Sequence, residues 1–386
     1  MKDRKATRER PGNIEYFEPE GEQVFNAGVA TQLHGQFSLA IAQKSFRISA
    51  KSKYGAPMIP FAFFPDRPFE DYQAVVLRNG GNDGSYSRLV DALAAKMLDW
   101  TDTEIMHMAS TPVIVYLNGI YWGHYDVRER FNTRAIARYE NWPNHQNIDF
   151  IKGDNHVLSG SFSNYSDLIK FVRDKDLNVP ANLKRVLDWI DVDSYFDFMI
   201  FEMYFGNTDT LNIKFYRQRT EDSKWKWLFF DLDWAYFNRQ RDGCYIWLKP
   251  EGAGERRAEN ILIRKLLEVP EMRDKFLKRY GELFQIISDT DRVIALIDEM
   301  RDTIEPEMGM HFNRWAGETF NFVAFDPPSE PEAAYNYWLG RVNRLKNVAR
   351  ARPYYVWGHV QDWFELSDAQ MESFFGPRPA ETEDIY

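Results

Sequence analysis

Two short segments carry the side chains best suited to chemistry. In GNTDTLN (206–212), Asp209 and Asn212 follow an apolar run and precede another. In KWKWLFFDLDWAYF (224–237), an aromatic run stops abruptly on Asp231 and Asp233. Carboxylate and amide oxygens are hard ligands for Mg²⁺ or Mn²⁺, which keep several waters and commonly bind a substrate's phosphates. If residues 212–218 and 225–231 pair as a hairpin, Asp209, Asn212 and Asp231 converge on one spot. A carboxylate at the end of an apolar strand also serves as a helix cap or turn former, and Asp233 stays open between those roles.

Metal-assisted phosphoryl transfer needs further parts: a backbone loop over the phosphates, a cation on them, and a residue orienting the acceptor hydroxyl. HGQFSLAIAQKSFRI (34–48) reads as a glycine-containing strand, turn and strand, with Gly35 and Ser38 in the turn and Lys44 on the second strand. Arg78 and Arg88 flank the glycine-rich NGGNDG and are within reach of phosphates, or of ordinary surface ion pairs. The seven histidines are scattered without zinc-ligand spacing, although His34 and His124 fall in the motifs named below.

The elements that must position these residues change character along the chain. Residues 24–50 read as strands with Gly28 and Gly35 as turn points, followed by a proline-rich loop, a strand at 73–79 and a loop at 79–85. A helix over 87–98 and a hairpin over 111–130, turning at Asn118-Gly119, complete a β-rich part. From about residue 160 the pattern is helical. Residues 194–205, apolar almost all round, read as a helix buried within a lobe. Further helices are expected at 258–268, 270–287, 290–303 and 332–350, the last closed by Pro353.

Bulk properties narrow the function. The 386 residues are 44% hydrophobic and 16% aromatic, with 12 Trp and 29 Phe, so a large packed interior is expected. A net charge of −10 disfavours nucleic-acid and anionic-membrane binding and is compatible with a basic protein partner. The single cysteine, Cys244, cannot form an internal disulfide. No stretch approaches the roughly 18 apolar residues of a membrane span, and residues 1–23 lack a signal-peptide core. A soluble chain is expected, compatible with an excised domain of a longer exported protein.

In order along the chain, QKSFRI with a following YG, LRNGGND, PVIVYLNGIYWGHYDVRER, GNTDTLNIKFYR and WKWLFFDLDWAYF resemble the CotH kinase family, first known from bacterial spore-coat proteins. The resemblance implies an α+β, atypical protein-kinase-like two-lobed fold. It makes residues 1–386 one kinase-like domain, with a β-rich N-lobe over about 14–155, a helical C-lobe over about 156–375 and a loose tail at 376–386. It also implies ATP with Mg²⁺ or Mn²⁺, and transfer of the γ-phosphoryl group to Ser or Thr of a partner protein. Residue by residue, Asp209 resembles the catalytic aspartate, Asn212 and Asp231 the metal ligands, and Lys44 the phosphate lysine. Glu129 follows the YLNG hairpin, with its role open between adenine-side hinge, lysine partner and structure. Leu39 and Val90 stand where the family often has Arg. Two alternatives stay open: a kinase-like scaffold without turnover, and an Asp-x-Asp phosphatase or glycosyltransferase. Ala235, where such phosphatases usually have Thr or Val, and the motif's place behind a long helical region weigh against the phosphatase.

Overall fold

A computed structural model describes residues 8–153, 155–250, 260–318 and 327–382. Its strands are β1 (Arg10–Phe17), β2 (Gln23–His34), β3 (Ser45–Ser49), β4 (Ala74–Arg78), β5 (Met106–His107), β6 (Ser110–Leu117), β7 (Ile120–Glu129), β8 (Ile148–Lys152), β9 (His156–Ser159), β10 (Lys214–Gln218) and β11 (Lys226–Phe229). The helices are α1 (Val90–Leu98), α2 (Thr133–Tyr139), α3 (Ser163–Asp174), α4 (Pro180–Trp189), α5 (Val192–Phe205), α6 (Gly243–Leu248), α7 (Ile261–Leu267), α8 (Pro270–Ile287), α9 (Thr290–Trp315), α10 (Pro331–Phe364) and α11 (Asp368–Phe375). The fold is α+β, β-rich towards the N-terminus and helical towards the C-terminus. Among the described residues no helix is long and apolar enough to cross a membrane.

Two compact units divide the chain, each assembled from three segments. The first takes the residues up to Ala92, Met108–Tyr139 and Ile297–Asn343. It contains an antiparallel six-stranded sheet in the order β1-β2-β3-β4-β7-β6. Phe25, Val29, Ile48, Phe63, Val75 and Val127 form its core. Asn118 and Gly119 both have positive φ (52° and 77°), as the tight turn between β6 and β7 requires. Gly123 in the same hairpin sits under α9: a Cβ there would lie 2.9 Å from both His311 Nδ1 and Trp315 Nε1. Trp315 donates from that nitrogen to the Trp122 carbonyl at 2.7 Å.

The second unit takes Leu93–His107, Glu140–Leu296 and Arg344 onward. Its sheet runs β5-β11-β10-β8-β9, antiparallel except where β11 meets β5. Twelve of the fourteen residues of α5, Ser194 to Phe205, are buried, as expected of a helix apolar on every side. Tyr195 packs on Trp227 of β11 with ring centroids 4.2 Å apart, and Phe196 meets Phe276 of α8 at 5.2 Å.

Several expected boundaries move. Gly28 lies inside β2 rather than at a turn. A Cβ there would meet the Tyr54 carbonyl oxygen at 2.0 Å, so this glycine serves close backbone approach. Residues 81–85 form a short 3₁₀ turn rather than open loop. The helix expected from residue 87 begins at Val90, because Arg88 has φ 68° and Asp83 accepts the Val90 amide at 2.9 Å. The helix expected over 258–268 spans Ile261–Leu267; residues 258–259 lie outside the described residues. Helix α9 runs through Pro306 to Trp315, and α10 through Pro353 to Phe364. Proline removes one amide donor but does not end α10, since Ala349, Ala351 and Arg352 before it and Val356, Trp357 and Val360 after it are all buried. Strand β1 had no expectation behind it.

Candidate functional site

Within the second unit, β10 and β11 pair antiparallel from Lys214↔Leu228 to Tyr216↔Lys226. That register brings Asn212, two residues before β10, close to Asp231, two residues after β11, and the Asn212 Nδ2 amide donates to Asp231 Oδ2. Asp231 turns the chain there with φ 66°, a conformation few residues other than Gly, Asn and Asp adopt. The other end of the Asn212 amide, Oδ1, is buried without a hydrogen-bond partner. An orphaned buried carbonyl oxygen beside a carboxylate fits a divalent cation, which would take both oxygens.

Asp209 joins this pair by turn geometry and by charge. Its carbonyl accepts the Asn212 amide at 2.9 Å, and its own amide donates to Asn207 Oδ1 at 3.0 Å. Loss of hydration raises the Asp209 pKa above the ordinary carboxylate value, and the negative charge of Asp231 raises it further, while Lys152 opposes the shift. Asp233 is buried (5% exposed) in the turn closed by the Ala235 amide on the Leu232 carbonyl at 2.9 Å. Among the described residues, no three His, Cys, Asp or Glu side chains gather as a ready cation cage. A cation here would complete its shell from water and ligand oxygens.

The segment carrying Asp209 is held from behind. Helix α5 ends on Gly206 in the left-handed conformation, with φ 60°. The buried Arg352 guanidinium donates to the carbonyls of Tyr204 (2.7 Å) and Met203 (3.0 Å) in the last turn of α5, and to those of Arg239 (3.0 Å) and Arg241. Asn207 donates to Glu202 Oε2 at 2.9 Å, and its carbonyl accepts from Trp247 Nε1 at 3.1 Å. Glu202 is hidden by the apolar composition of α5, so spacing alone does not reveal it. Lys152 ends β8 in a stretch without motif character.

Burial pushes the Glu202 carboxyl from 4.5 up to about 8, the Asn207 bond opposing and Asp209 adding to the rise. The folded state therefore binds this proton more tightly, and Glu202 should cost stability as pH rises from 4.5 to about 8. The slope is at most about 1.4 kcal/mol per pH unit. Glu202→Gln keeps an acceptor for Asn207. In urea unfolding at several pH values it should flatten the decline; a slope identical to wild type would contradict the assignment.

In the first unit, Gly35, Ser38 and Lys44 fall in the one segment that joins β2 to β3. Gly35 has φ 112°, and a Cβ on it would meet Ser38 Oγ at 2.1 Å. Residues Phe37–Ala40 form a 3₁₀ turn, and Lys44 immediately precedes β3 rather than lying on it. Its ammonium donates back to the carbonyls of Leu39 (2.9 Å) and Ile41. QKSF and NGGND interlock: Ser45 Oγ donates to Asn79 Oδ1 at 2.8 Å, and Asn79 Nδ2 bonds the Gln43 carbonyl. Gln43 and Asn79 are thus contributors that the sequence reading missed.

Arg88 is buried. It donates to the carbonyls of Gly84 (2.8 Å), Asn79 (3.1 Å) and His124 (3.3 Å), and lines a pocket walled also by His311, Trp315 and Trp338. Arg78 lies 3.5 Å from Asp91, which Arg128 also meets at 2.9 Å. Glu129 accepts the Ala109 amide at 2.9 Å, the Tyr139 hydroxyl and Arg67 Nε at 3.4 Å; among the described residues no ion pair joins it to Lys44.

An α+β chain whose buried hairpin ends in an Asp–Asn–Asp cluster, with a glycine-turn and lysine segment on its antiparallel sheet, has the parts of a kinase-like protein. Similarity to known families gives the same class and a narrower one. The chain belongs to the CotH family: the family model described as CotH kinase protein matches residues 31–356, which include every candidate site residue above. A comparison with curated proteins returned no significant match.

Proposed function

We propose that this protein is an ATP-dependent protein kinase that transfers the γ-phosphoryl group to Ser or Thr of a partner protein. The observation that carries the reading is the Asn212–Asp231 pair with its orphaned Asn212 oxygen, placed beside the electrostatically coupled Asp209. Asn212 Oδ1 and Asp231 would hold Mg²⁺ or Mn²⁺, which when bound screens the charge of the phosphates. Asp233, buried in its turn, is the less supported second carboxylate.

Asp209 orients the acceptor hydroxyl and receives its proton. Burial and the charge of Asp231 raise its pKa above the ordinary carboxylate value, the direction that makes a carboxylate a better proton acceptor. As the bond from the γ-phosphorus to the acceptor oxygen forms, the bond to the β–γ bridging oxygen breaks, and ADP leaves with that electron pair. Gly35, Ser38, Lys44, Arg78, Arg88 and Glu129, all in the first unit, are the nucleotide-binding candidates that the family resemblance implies. Lys44 and Arg88 currently satisfy backbone carbonyls, which is the observation favouring the second reading, a kinase-like binding protein with weak nucleotide hold. The acidic net charge suits a basic acceptor protein.

Metal binding tests the assignment separately from turnover. With ATP present, Mn²⁺ titration followed by electron paramagnetic resonance should give a bound signal that Asp231→Asn and Asn212→Ala each weaken about tenfold or more. Equal Mn²⁺ affinity in wild type and both variants would sink the ligand assignment.

A further inference from the structure

We propose that Lys152 and Lys214, paired across β8 and β10 beside Asp209, Asn212 and Asp231, form a two-lysine site that grips the non-bridging oxygens of a metal-bound polyphosphate. The inference rests on the kinase reading for its role and on the sheet geometry for its existence.

The two residues are direct Cα partners in the antiparallel ladder, so their side chains leave the same face of the sheet. Two ammonium groups in such positions concentrate positive charge on one face of the sheet, where an anion can bridge them. The pair is also fixed close to the cluster. Next to Lys152, the Gly153 amide donates to the Ile213 carbonyl at 2.9 Å, and a Cβ on Gly153 would lie 3.0 Å from the Leu211 carbonyl oxygen. The end of β8 is therefore fastened to the segment that carries Asn212.

Lys214 reaches the same end from the other strand. Its ammonium lies 3.7 Å from the ring centroid of Phe230, the residue before Asp231. Both lysines are partly buried, which strengthens their attraction for an anion relative to open solvent. Lys152 also acts electrostatically on Asp209. Flexible ammonium groups suit phosphate as point charges, and a pair flanking the hydroxyl-orienting aspartate would stabilise charge on the phosphoryl oxygens as it passes to the acceptor.

Calorimetric titration with tripolyphosphate and Mg²⁺ tests the site without requiring turnover. Wild type should bind, Lys152→Ala and Lys214→Ala should each lose about tenfold in affinity, and Lys152→Arg should retain most of it. Circular dichroism on each variant separates loss of binding from loss of fold. Absence of binding by wild type, or unchanged affinity in both folded alanine variants, overturns the proposal. Tripolyphosphate binding that depends on the lysines, in a protein that transfers no phosphoryl group from ATP, would uphold this site and overturn the kinase reading instead.

Discussion

Asp209→Ala is expected to lower the rate of phosphoryl transfer about 10³-fold while leaving Mn²⁺–ATP affinity within about threefold of wild type. The separation follows from where Asp209 sits. It shares a turn with Asn212 through its backbone, so the alanine variant keeps the 2.9 Å amide bond that positions the proposed ligand. What disappears is the carboxylate, and with it the group that aligns the acceptor hydroxyl and takes its proton. Asp209 supplies no oxygen to the proposed cation site, so losing its charge should lower cation affinity only modestly. Initial rates at saturating Mn²⁺–ATP, set beside calorimetric binding, decide the matter. Loss of rate and binding in equal measure would place Asp209 among the ligands, and an unchanged rate would remove it from the mechanism.

Arg352→Met should destabilise the second unit by at least about 3 kcal/mol. The methionine fills much of the same space, so the loss is not chiefly one of packing. It comes chiefly from the buried carbonyls of Met203 and Tyr204, and in part from the partly buried carbonyls of Arg239 and Arg241, all of which lose a charged donor. Burial of the guanidinium itself carries a cost, seen in the lowering of its pKa, and the variant recovers that part. Arg352→Lys should rescue poorly, because one ammonium cannot reproduce a planar fork. Urea midpoints measure both, and a midpoint equal to wild type for Arg352→Met would contradict the role. Because Met203 and Tyr204 end the helix that delivers Asp209, a weakened Mn²⁺ signal under folding conditions should accompany the loss.

The parts of this account that the sequence discloses are those written in local patterns. The Asn118-Gly119 turn, the buried α5 and the β10–β11 hairpin each follow from short-range periodicity or turn chemistry. The hairpin in turn suffices to bring Asn212 to Asp231. Other parts depend on long-range packing. Lys152 lies in no motif and matters only because β8 pairs with β10, and Glu202 is one acid in a run of apolar side chains. Arg352 acts on carbonyls 148 and 149 residues away. Pro353 misleads for the same reason: local propensity ends a helix there, while burial on both sides of it carries α10 through. Gly28 reads as a turn and instead makes room for the Tyr54 carbonyl.

The most direct test of the central claim is phosphoryl transfer itself. The wild-type protein is incubated with γ-labelled ATP, Mg²⁺ or Mn²⁺ and a Ser-rich basic protein, and the label is traced by phosphoamino-acid analysis. Label is expected on Ser or Thr, abolished by chelation of the metal and by Asp231→Asn. Nucleotide and metal binding by wild type without any transferred label would contradict it and leave a kinase-like binding protein, while release of phosphate from small phosphoesters would point to a hydrolase.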